Sequence, residues 1–310
     1  MLTFKKDKNK IVANVVEGKK TTSIYIKETF DNKEKPQIET SDENKKEVFQ
    51  DYLSNLKRPI SKKEKDLLII CYDDNTEADK LNGKLYKIFE DGLEFVNNSL
   101  KKYLNFKSNI VYPKINTDYF SCFVSGMSGS GKSYYISEFI YNNRDLIPKG
   151  AGIFLIGPCD NDESFKKIFK NLIYIDIPAY EKENKEDFNI KSIPIGSVII
   201  FDDTEAMANN KYVESIRDKM LADYRKRKLK ILSVSHVALD AKKTSKVILE
   251  SQYFIVFKNN WMHASNLLST YAGLKQSQLD LLYSQNTRGY FICKTSPMYC
   301  VTDCSILLLN

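Results

Sequence analysis

A glycine-rich octapeptide in the middle of this chain constrains its fold more than any other feature. Eight residues, Gly126, Met127, Ser128, Gly129, Ser130, Gly131, Lys132 and Ser133, form the pattern G-x-x-x-x-G-K-S directly after the apolar run 119–124. The pattern predicts a buried strand, a turn whose backbone N–H groups surround phosphate oxygens, and a helix that begins at Lys132. We expect Lys132 to reach the β and γ phosphates of a nucleoside triphosphate such as ATP, and the Ser133 hydroxyl to ligate Mg²⁺. A ligand-free glycine turn is the alternative, which the flanking strand and helix disfavour.

Composition sets the remaining bounds. The chain has 310 residues, of which 42% are hydrophobic and 28% charged, so it can bury a full core. No stretch approaches the roughly 18–20 apolar residues of a membrane helix, and residues 1–6 do not resemble a signal peptide. Six scattered cysteines, including Cys300 and Cys304, favour buried thiols in a reducing, cytosolic environment over a metal site. The formal charge of +7 permits an anionic partner without requiring one.

The pattern of apolar runs predicts an α/β fold with a mainly parallel central sheet covered by helices. The strand candidates are 119–124, 153–156, 172–175, 198–201, 231–234 and 253–257, followed by a closing hairpin at 289–293 and 298–301. Residues 1–110 are predicted to form a small α+β region of unassigned role, and residues 111–310 the nucleotide-binding domain. Within the first region we expect a hairpin at 11–16 and 22–26, and a helix over 82–105 that is interrupted near Gly92.

Carboxylates follow the strand candidate 198–201. Asp202 and Asp203 come directly after this apolar run, some seventy residues beyond the octapeptide, and Glu205 lies two residues further on. In nucleotide-hydrolysing folds such a strand carries a carboxylate to the Mg²⁺ site, a role that we assign to Asp202. Asp203 is the first candidate for the base that orients or deprotonates the attacking water, and Glu205 is the second. The alternative is that these acids only cap the end of the strand.

Two further segments flank the next strand candidate, 231–234. Ser235 and His236 follow it, at the sheet edge where ligands gather, so either side chain is a candidate contact to the γ-phosphate or to the lytic water. The alternative is an N-cap serine and a surface histidine. The basic run 224–230 precedes the strand and should therefore lie at the opposite edge, away from its own phosphate site. An arginine in this run could act as a finger in a neighbouring subunit's site; a contact to the DNA backbone and a plain solvated surface remain alternatives.

Taken in order, these segments resemble the genome-packaging ATPases of large DNA viruses and virophages, the poxvirus-like branch of the FtsK/HerA superfamily. The resemblance covers about residues 115 to 305 and also includes the strand 253–257 and the closing hairpin. It implies phosphate and Mg²⁺ binding by Lys132 and Ser133, and a metal contact by Asp202. The family's finger arginine falls on Arg225, with Arg227 as the alternative. This chain departs from the family at two positions. After the strand 231–234, where the family often has a glutamine that senses the γ-phosphate, this chain has Ser235 and His236. The family's base is often glutamate, whereas the first candidate here is Asp203.

The resemblance implies a motor that uses ATP to move double-stranded DNA into preformed capsids. It implies a homo-oligomeric ring with active sites between subunits, possible contacts to viral capsid proteins, and a location in the virion or the host cytoplasm. Two other functions stay open at this stage. One is a nucleotide-gated remodelling ATPase that does not move DNA, and the other is a P-loop kinase for a small molecule.

Overall fold

A large sheet with helices on both faces forms the centre of the molecule, and a smaller sheet packs on one of those faces. The computed structural model describes residues 2–3, 6, 10–26, 46, 49–50, 52–54, 56, 60–73, 81–100, 103–105, 110–158, 163–166, 172–177, 188–207, 209–236 and 245–309.

The strands and helices have the following bounds. The strands are β1 (Leu2–Thr3), β2 (Lys10–Glu17), β3 (Lys20–Ile26), β4 (Tyr103–Asn105), β5 (Ile110–Pro113), β6 (Phe120–Ser125), β7 (Ile153–Ile156), β8 (Leu172–Tyr174), β9 (Val198–Asp202), β10 (Lys230–Ser235), β11 (Tyr253–Phe257), β12 (Gly289–Cys293), β13 (Tyr299–Val301) and β14 (Ser305–Leu308). The helices are α1 (Lys62–Asp73), α2 (Gly83–Leu100), α3 (Lys132–Asn142), α4 (Glu163–Lys166), α5 (Asn210–Asp223), α6 (Ser245–Glu250), α7 (Trp261–Ala272) and α8 (Gln276–Ser284).

The large sheet has the strand order β4-β14-β13-β12-β11-β6-β10-β9-β7-β8. From β8 to β11 all neighbours are parallel, and from β11 to β4 they are antiparallel. This confirms the predicted α/β class with a mainly parallel central sheet, and it confirms the closing hairpin. No helix in the described ranges combines the length and the hydropathy that crossing a bilayer would require.

The parallel strands are apolar along their whole length because both of their faces are covered. In β9 the side chains alternate between two cores: Ile199 and Phe201 lie in one, and Val198 and Ile200 in the other. Helices α5 to α8 cover the first core. Helix α3 covers the second together with the small sheet, whose buried residues include Val12. The sheet is thereby held rigidly between two apolar layers, which fixes the positions of its strand ends.

The small sheet has the order β1-β3-β2-β5, and the hairpin of β2 and β3 confirms the prediction for this region. Strand β4 pairs with β14 in the large sheet, whereas β5 pairs with β2 in the small one. The chain therefore contributes β4, just before residue 110, to the large sheet and β5, which begins at residue 110, to the small sheet. The domain boundary between residues 110 and 111 stays a prediction.

The expected interruption at Gly92 was wrong, because α2 continues through this residue and ends at Leu100. A Cβ atom at Gly92 would lie 2.5 Å from a ring atom of Phe49 and 3.0 Å from the ring of Tyr52. The glycine therefore makes room for two aromatic side chains that pack closely on the helix, and the energetic cost of glycine within a helix is offset by this packing.

The cysteines that the structure describes are all free thiols, as predicted. Cys300 is buried and Cys304 is partly exposed. Burial raises the pKa of Cys122 and Cys300, so these thiols stay protonated.

Candidate active site

Residues 126–133, termed the phosphate loop below, connect the end of β6 to the start of α3. Gly129 and Gly131 have φ angles of +74° and +87°, which residues with a Cβ rarely adopt. A Cβ at Gly126 would lie 2.7 Å from the Ser130 hydroxyl oxygen and 2.8 Å from the ring of Phe257. The glycines of the pattern are thus required by backbone conformation at two positions and by close packing at a third. The strand, turn and helix occur where the motif predicted them.

Lys132 lies at the first turn of α3 and is 6% exposed. Its ammonium group donates to the carbonyl oxygens of Gly126 at 2.9 Å and Met127 at 3.3 Å, and its Nζ lies 3.0 Å from Nδ1 of His236. Burial lowers the pKa of Lys132, while the charges of Asp203, Asp202 and Glu205 act in the opposite direction. The charges of all three predicted carboxylates therefore act on Lys132, whose ammonium group is hydrogen-bonded to the first two residues of the phosphate loop.

The sheet register brings these side chains together. Ser125 at the end of β6 is the partner of Ser235 at the end of β10, and Val234 in β10 is the partner of Asp202 at the end of β9. Strand β10 lies between the other two, so the phosphate loop and the carboxylates are one strand apart. Three parallel strands thus end at one edge, where α/β folds place their ligands.

A chain of polar contacts crosses this edge from Lys132 through His236 to Asp203. His236 Nε2 lies 2.5 Å from Oδ2 of Asp203. Since the Lys132 ammonium can only donate, Nδ1 of His236 accepts and Nε2 carries the proton that Asp203 accepts. The two contacts thus hold the imidazole ring between Lys132 and Asp203. Asp203 has a φ of +46°, and its Oδ1 is buried without a hydrogen-bond partner. An acceptor in this position can bind a water molecule or a ligand hydroxyl.

Glu205 and Ser235 form a second polar pair beside the first. The Ser235 hydroxyl donates to the Glu205 carboxylate. Burial raises the pKa of Glu205, against the lowering effects of this hydrogen bond and of the nearby Arg217 charge. Arg217 is itself 6% exposed on α5, and burial lowers its pKa. We did not identify Arg217 from the sequence, because its neighbours in the chain do not distinguish it from the other charges of an amphipathic helix.

Asp202 and Ser133 are the predicted metal ligands. The end of β7 approaches Asp202 so closely that a Cβ at Gly157 would lie 2.6 Å from the Asp202 carbonyl oxygen. Within the described residues, no group of three or more His, Cys, Asp or Glu side chains forms a metal cage. A carboxylate and a hydroxyl at the mouth of a phosphate loop nevertheless fit Mg²⁺, which prefers oxygen ligands and takes the others from phosphates and water. The buried, unpartnered Oδ1 of Asp203 adds a further oxygen acceptor near this edge.

The two arginines of the basic run differ in their surroundings. Arg225 is exposed, and its Nε donates to the Tyr224 hydroxyl at 3.2 Å. Arg227 donates to the carbonyl oxygens of Ile190 and Ile193 and so fastens a neighbouring loop. Lys230, where the run joins β10, pairs with Phe120 at the start of β6. The run therefore lies at the opposite edge of the sheet from the phosphate loop, roughly 17 Å away along the strands, as predicted.

Arg288 is a second residue that the sequence analysis missed. Its Nη1 would lie 3.5 Å from a Cβ built on Gly131, and its guanidinium carbon lies 5.5 Å from the ring centroid of Tyr134. It reaches the phosphate loop because β12 begins at Gly289 and pairs with β11, so that Gly289 lies opposite Phe257. The residue is more than 150 positions from the loop in the chain, and no local pattern marks it.

Comparison with known proteins finds a virophage protein of similar sequence and solved structures of low sequence identity. No family model matches the sequence. "Uncharacterized protein V3" of Sputnik virophage is 27% identical over 183 residues, which are 57% of this chain and 72% of that protein.

Among solved structures, the genome packaging NTPase B204 of Sulfolobus turreted icosahedral virus 2, in complex with AMPPCP, is 13% identical with a TM-score of 0.39; the match covers 63% of this chain and all of B204. The coupling protein TcpA of pCW3 conjugation, with ATPγS, is 14% identical with a TM-score of 0.39, covering 67% of this chain and 66% of TcpA. The function proposed below depends on the residues of the site.

Proposed function

We propose that this chain is a Mg²⁺-dependent ATPase that moves double-stranded DNA during viral genome packaging. The observation that carries the catalytic part is the contact chain Lys132–His236–Asp203 at the mouth of the phosphate loop. It joins Lys132 at the start of α3, the candidate sensor His236 after β10 and the candidate base Asp203 after β9. Residues up to 104 positions apart in sequence meet at one point, as a site for phosphoryl chemistry requires.

Each residue of the site has a proposed role. The backbone N–H groups of the phosphate loop and Lys132 bind the phosphates, and Ser133 and Asp202 hold Mg²⁺. When bound, Mg²⁺ neutralises charge on the β and γ phosphates. For Lys132 to reach a γ-phosphate it must exchange its contacts to the carbonyl oxygens of Gly126 and Met127 for phosphate oxygens. We propose that this movement also takes the Lys132 ammonium away from Nδ1 of His236. The loss of this contact would let His236 report whether a γ-phosphate is present.

We assign the base to Asp203, because one of its oxygens is buried and unpartnered while the other is held by His236. We expect Asp203→Asn to lower kcat for ATP hydrolysis by about a hundredfold, the lower range for loss of general base catalysis, with little change in ATP binding. Glu205→Gln is the matched change at the second candidate, and it should lower kcat less than tenfold, since its hydrogen bond to Ser235 can be kept. Steady-state kinetics and titration with ATP measure both. The reverse order of the two effects would move the base to Glu205.

The DNA part of the proposal comes from the resemblance of the ordered motifs to packaging ATPases. The formal charge of +7 suits a polyanionic partner, and Arg225 lies exposed at the sheet edge where a neighbouring subunit could receive it. A ring of subunits, each supplying Arg225 to the next site, therefore accounts for an arginine that cannot reach its own phosphate loop. Contacts to capsid proteins, and action in the virion or at a cytoplasmic assembly site, belong to the same proposal.

The experiment that tests the motor is ATP hydrolysis with and without double-stranded DNA. We expect DNA of two unrelated sequences to stimulate turnover equally. The DNA concentration for half stimulation should rise by about tenfold or more between about 50 and about 200 mM salt, because phosphate contacts release counterions. Lys132→Ala protein serves as the control for contaminating ATPases. Turnover that is indifferent to DNA at both salt concentrations would contradict the motor and favour a remodelling ATPase, and transfer of phosphate to a small acceptor would favour a kinase.

A further inference from the structure

A cavity of 340 Å³ opens beside the phosphate loop, and of the residues described at the active site its lining includes only Arg288 and Tyr134. It lies between α3, β5, the residue preceding β12 and the turn between β13 and β14, and its polar lining comprises Tyr112, Tyr134, Tyr135, Glu138, Arg288 and Asp303. Apolar side chains form most of the remaining wall. Its size and its few convergent polar groups are typical of a small-ligand site.

The position of the cavity relates it to the phosphate loop. Tyr134 directly follows Ser133 in the chain. Nη1 of Arg288 lies 3.5 Å from the position that a Cβ on Gly131 would occupy. A ligand whose phosphates lie in the loop would therefore extend past Arg288 into the cavity. The guanidinium lies over the Tyr134 ring, so a cation and an aromatic face stand together at the entrance.

Hydrogen-bonding groups of opposite kinds line the cavity. Burial, with the charges of Glu138 and Asp303, raises the pKa of Tyr112, so its hydroxyl remains protonated and can donate. Glu138 and Asp303 offer carboxylate acceptors near this donor. Asp303 is held in place by the Thr287 hydroxyl, which donates to its Oδ2 at 3.1 Å. A donor beside an acceptor is complementary to one edge of adenine, which presents a ring nitrogen acceptor next to its 6-amino donor.

We propose that this cavity binds the adenine base of ATP, with Tyr112 donating to a ring nitrogen and Glu138 or Asp303 accepting from the 6-amino group. The assignment rests on the proposed function, since the phosphates of the same nucleotide occupy the phosphate loop. Arg288 then lies between the base and the phosphates, where its charge stabilises the nucleotide. Selectivity for adenine follows from the donor and acceptor pattern of the cavity.

This base site also gives the small sheet a role. Tyr112 belongs to β5, which pairs with β2 of the small sheet, and Val111 N–H donates to the Asp303 carbonyl oxygen at 2.9 Å. The small sheet is thereby bonded to the turn that closes the large sheet, and one wall of the cavity is built from it. The structural alternative is a packing gap between α3 and the small sheet that has no ligand.

The test is binding of three ligands in the presence of Mg²⁺: ATP, inosine triphosphate and inorganic tripolyphosphate. Inosine carries a carbonyl oxygen and a ring N–H where adenine carries an amino group and a ring acceptor, so Tyr112 can no longer donate to this ring nitrogen and the carboxylate loses its amino donor. We expect the full-length protein to bind ATP about tenfold more tightly than inosine triphosphate. Tyr112→Phe and Glu138→Gln, both isosteric, should weaken ATP binding and this preference while leaving tripolyphosphate binding unchanged.

Tyr141→Phe is the matched control, because Tyr141 is exposed on the same helix and does not line the cavity. Equal affinity for ATP and inosine triphosphate, or unchanged ATP affinity in both cavity variants, would overturn the base site. A different result would contradict the proposed function. If the Lys132→Ala variant binds tripolyphosphate as tightly as the wild-type protein, the phosphate loop is not the phosphate site. A protein that binds tripolyphosphate through Lys132 but shows no preference between bases retains the phosphate site and loses only the adenine assignment.

Discussion

Replacing Lys132 with alanine is expected to lower ATP turnover by about a thousandfold and to weaken binding of the nucleotide. The Lys132 side chain is buried at the phosphate loop and interacts electrostatically with three carboxylates, and an ordered charge in such a site acts more strongly on a phosphate than it would in water. The same substitution removes the donor that binds the carbonyl oxygens of Gly126 and Met127. We therefore expect both kcat and nucleotide affinity to fall, which steady-state kinetics and calorimetric titration would measure.

The matched control is Lys149→Ala, because Lys149 is an exposed lysine that lies outside the site. Its kinetics should equal those of the wild-type protein. Thermal unfolding of both variants separates a local effect from a loss of fold. If the Lys132 variant unfolds like the wild type and still turns over ATP within tenfold of its rate, the phosphate loop is not the site of hydrolysis.

Replacing Arg225 with alanine is expected to lower turnover by about a thousandfold in the assembled protein and to leave ATP binding nearly unchanged. An arginine supplied in trans contributes charge to the transition state and little to the ground state, which is why kcat rather than affinity should fall. Arg225 is exposed and lies at the far edge of the sheet, so it cannot act on the phosphate loop of its own subunit. Single-turnover hydrolysis and nucleotide titration are the measurements, with the exposed neighbour variant Lys226→Ala as control.

A mixing experiment tests directly whether the arginine acts between subunits. Arg225→Ala subunits retain an intact phosphate loop, and Lys132→Ala subunits retain the arginine. If the site is shared, combining the two inactive proteins creates some interfaces with both residues, and turnover returns. Mixtures that stay inactive would argue against a finger at Arg225.

Arg227→Ala provides a comparison of another kind. The Arg227 guanidinium donates to the carbonyl oxygens of Ile190 and Ile193, so this variant should lose thermal stability.

Much of the fold could be predicted because its signals are local. The buried strands are continuous apolar runs, and the glycine pattern marks the junction of β6 and α3 through backbone conformations that Gly129 and Gly131 adopt easily. The meeting of Asp203 with His236 was also within reach, because parallel strands place their carboxyl ends at one edge. Gly92 shows the limit of this reasoning. A glycine that seems to break a helix is instead required by the rings of Phe49 and Tyr52, which come from another segment.

The residues that were missed depend on long-range pairing. Arg288 reaches the phosphate loop through the antiparallel register of β11 and β12, and Tyr112 reaches the cavity through the pairing of β5 with the small sheet. The charge of Arg217 acts on Glu205 only because helix α5, which carries Arg217, packs on the large sheet close to this residue. None of these contacts leaves a pattern in the neighbouring residues, since each is set by how separate elements pack.

By itself, therefore, the sequence determined the class of fold, the phosphate loop and the strand ends that carry the candidate catalytic groups. These follow from glycine stereochemistry, apolar periodicity and the polarity of parallel strands, which act over a few residues. Only the tertiary structure decided which partner each group has: His236 between Lys132 and Asp203, Arg227 on a loop, and Arg288 beside Gly131. Such contacts depend on the packing of elements distant in the chain, where differences of a few ångströms determine whether two side chains meet.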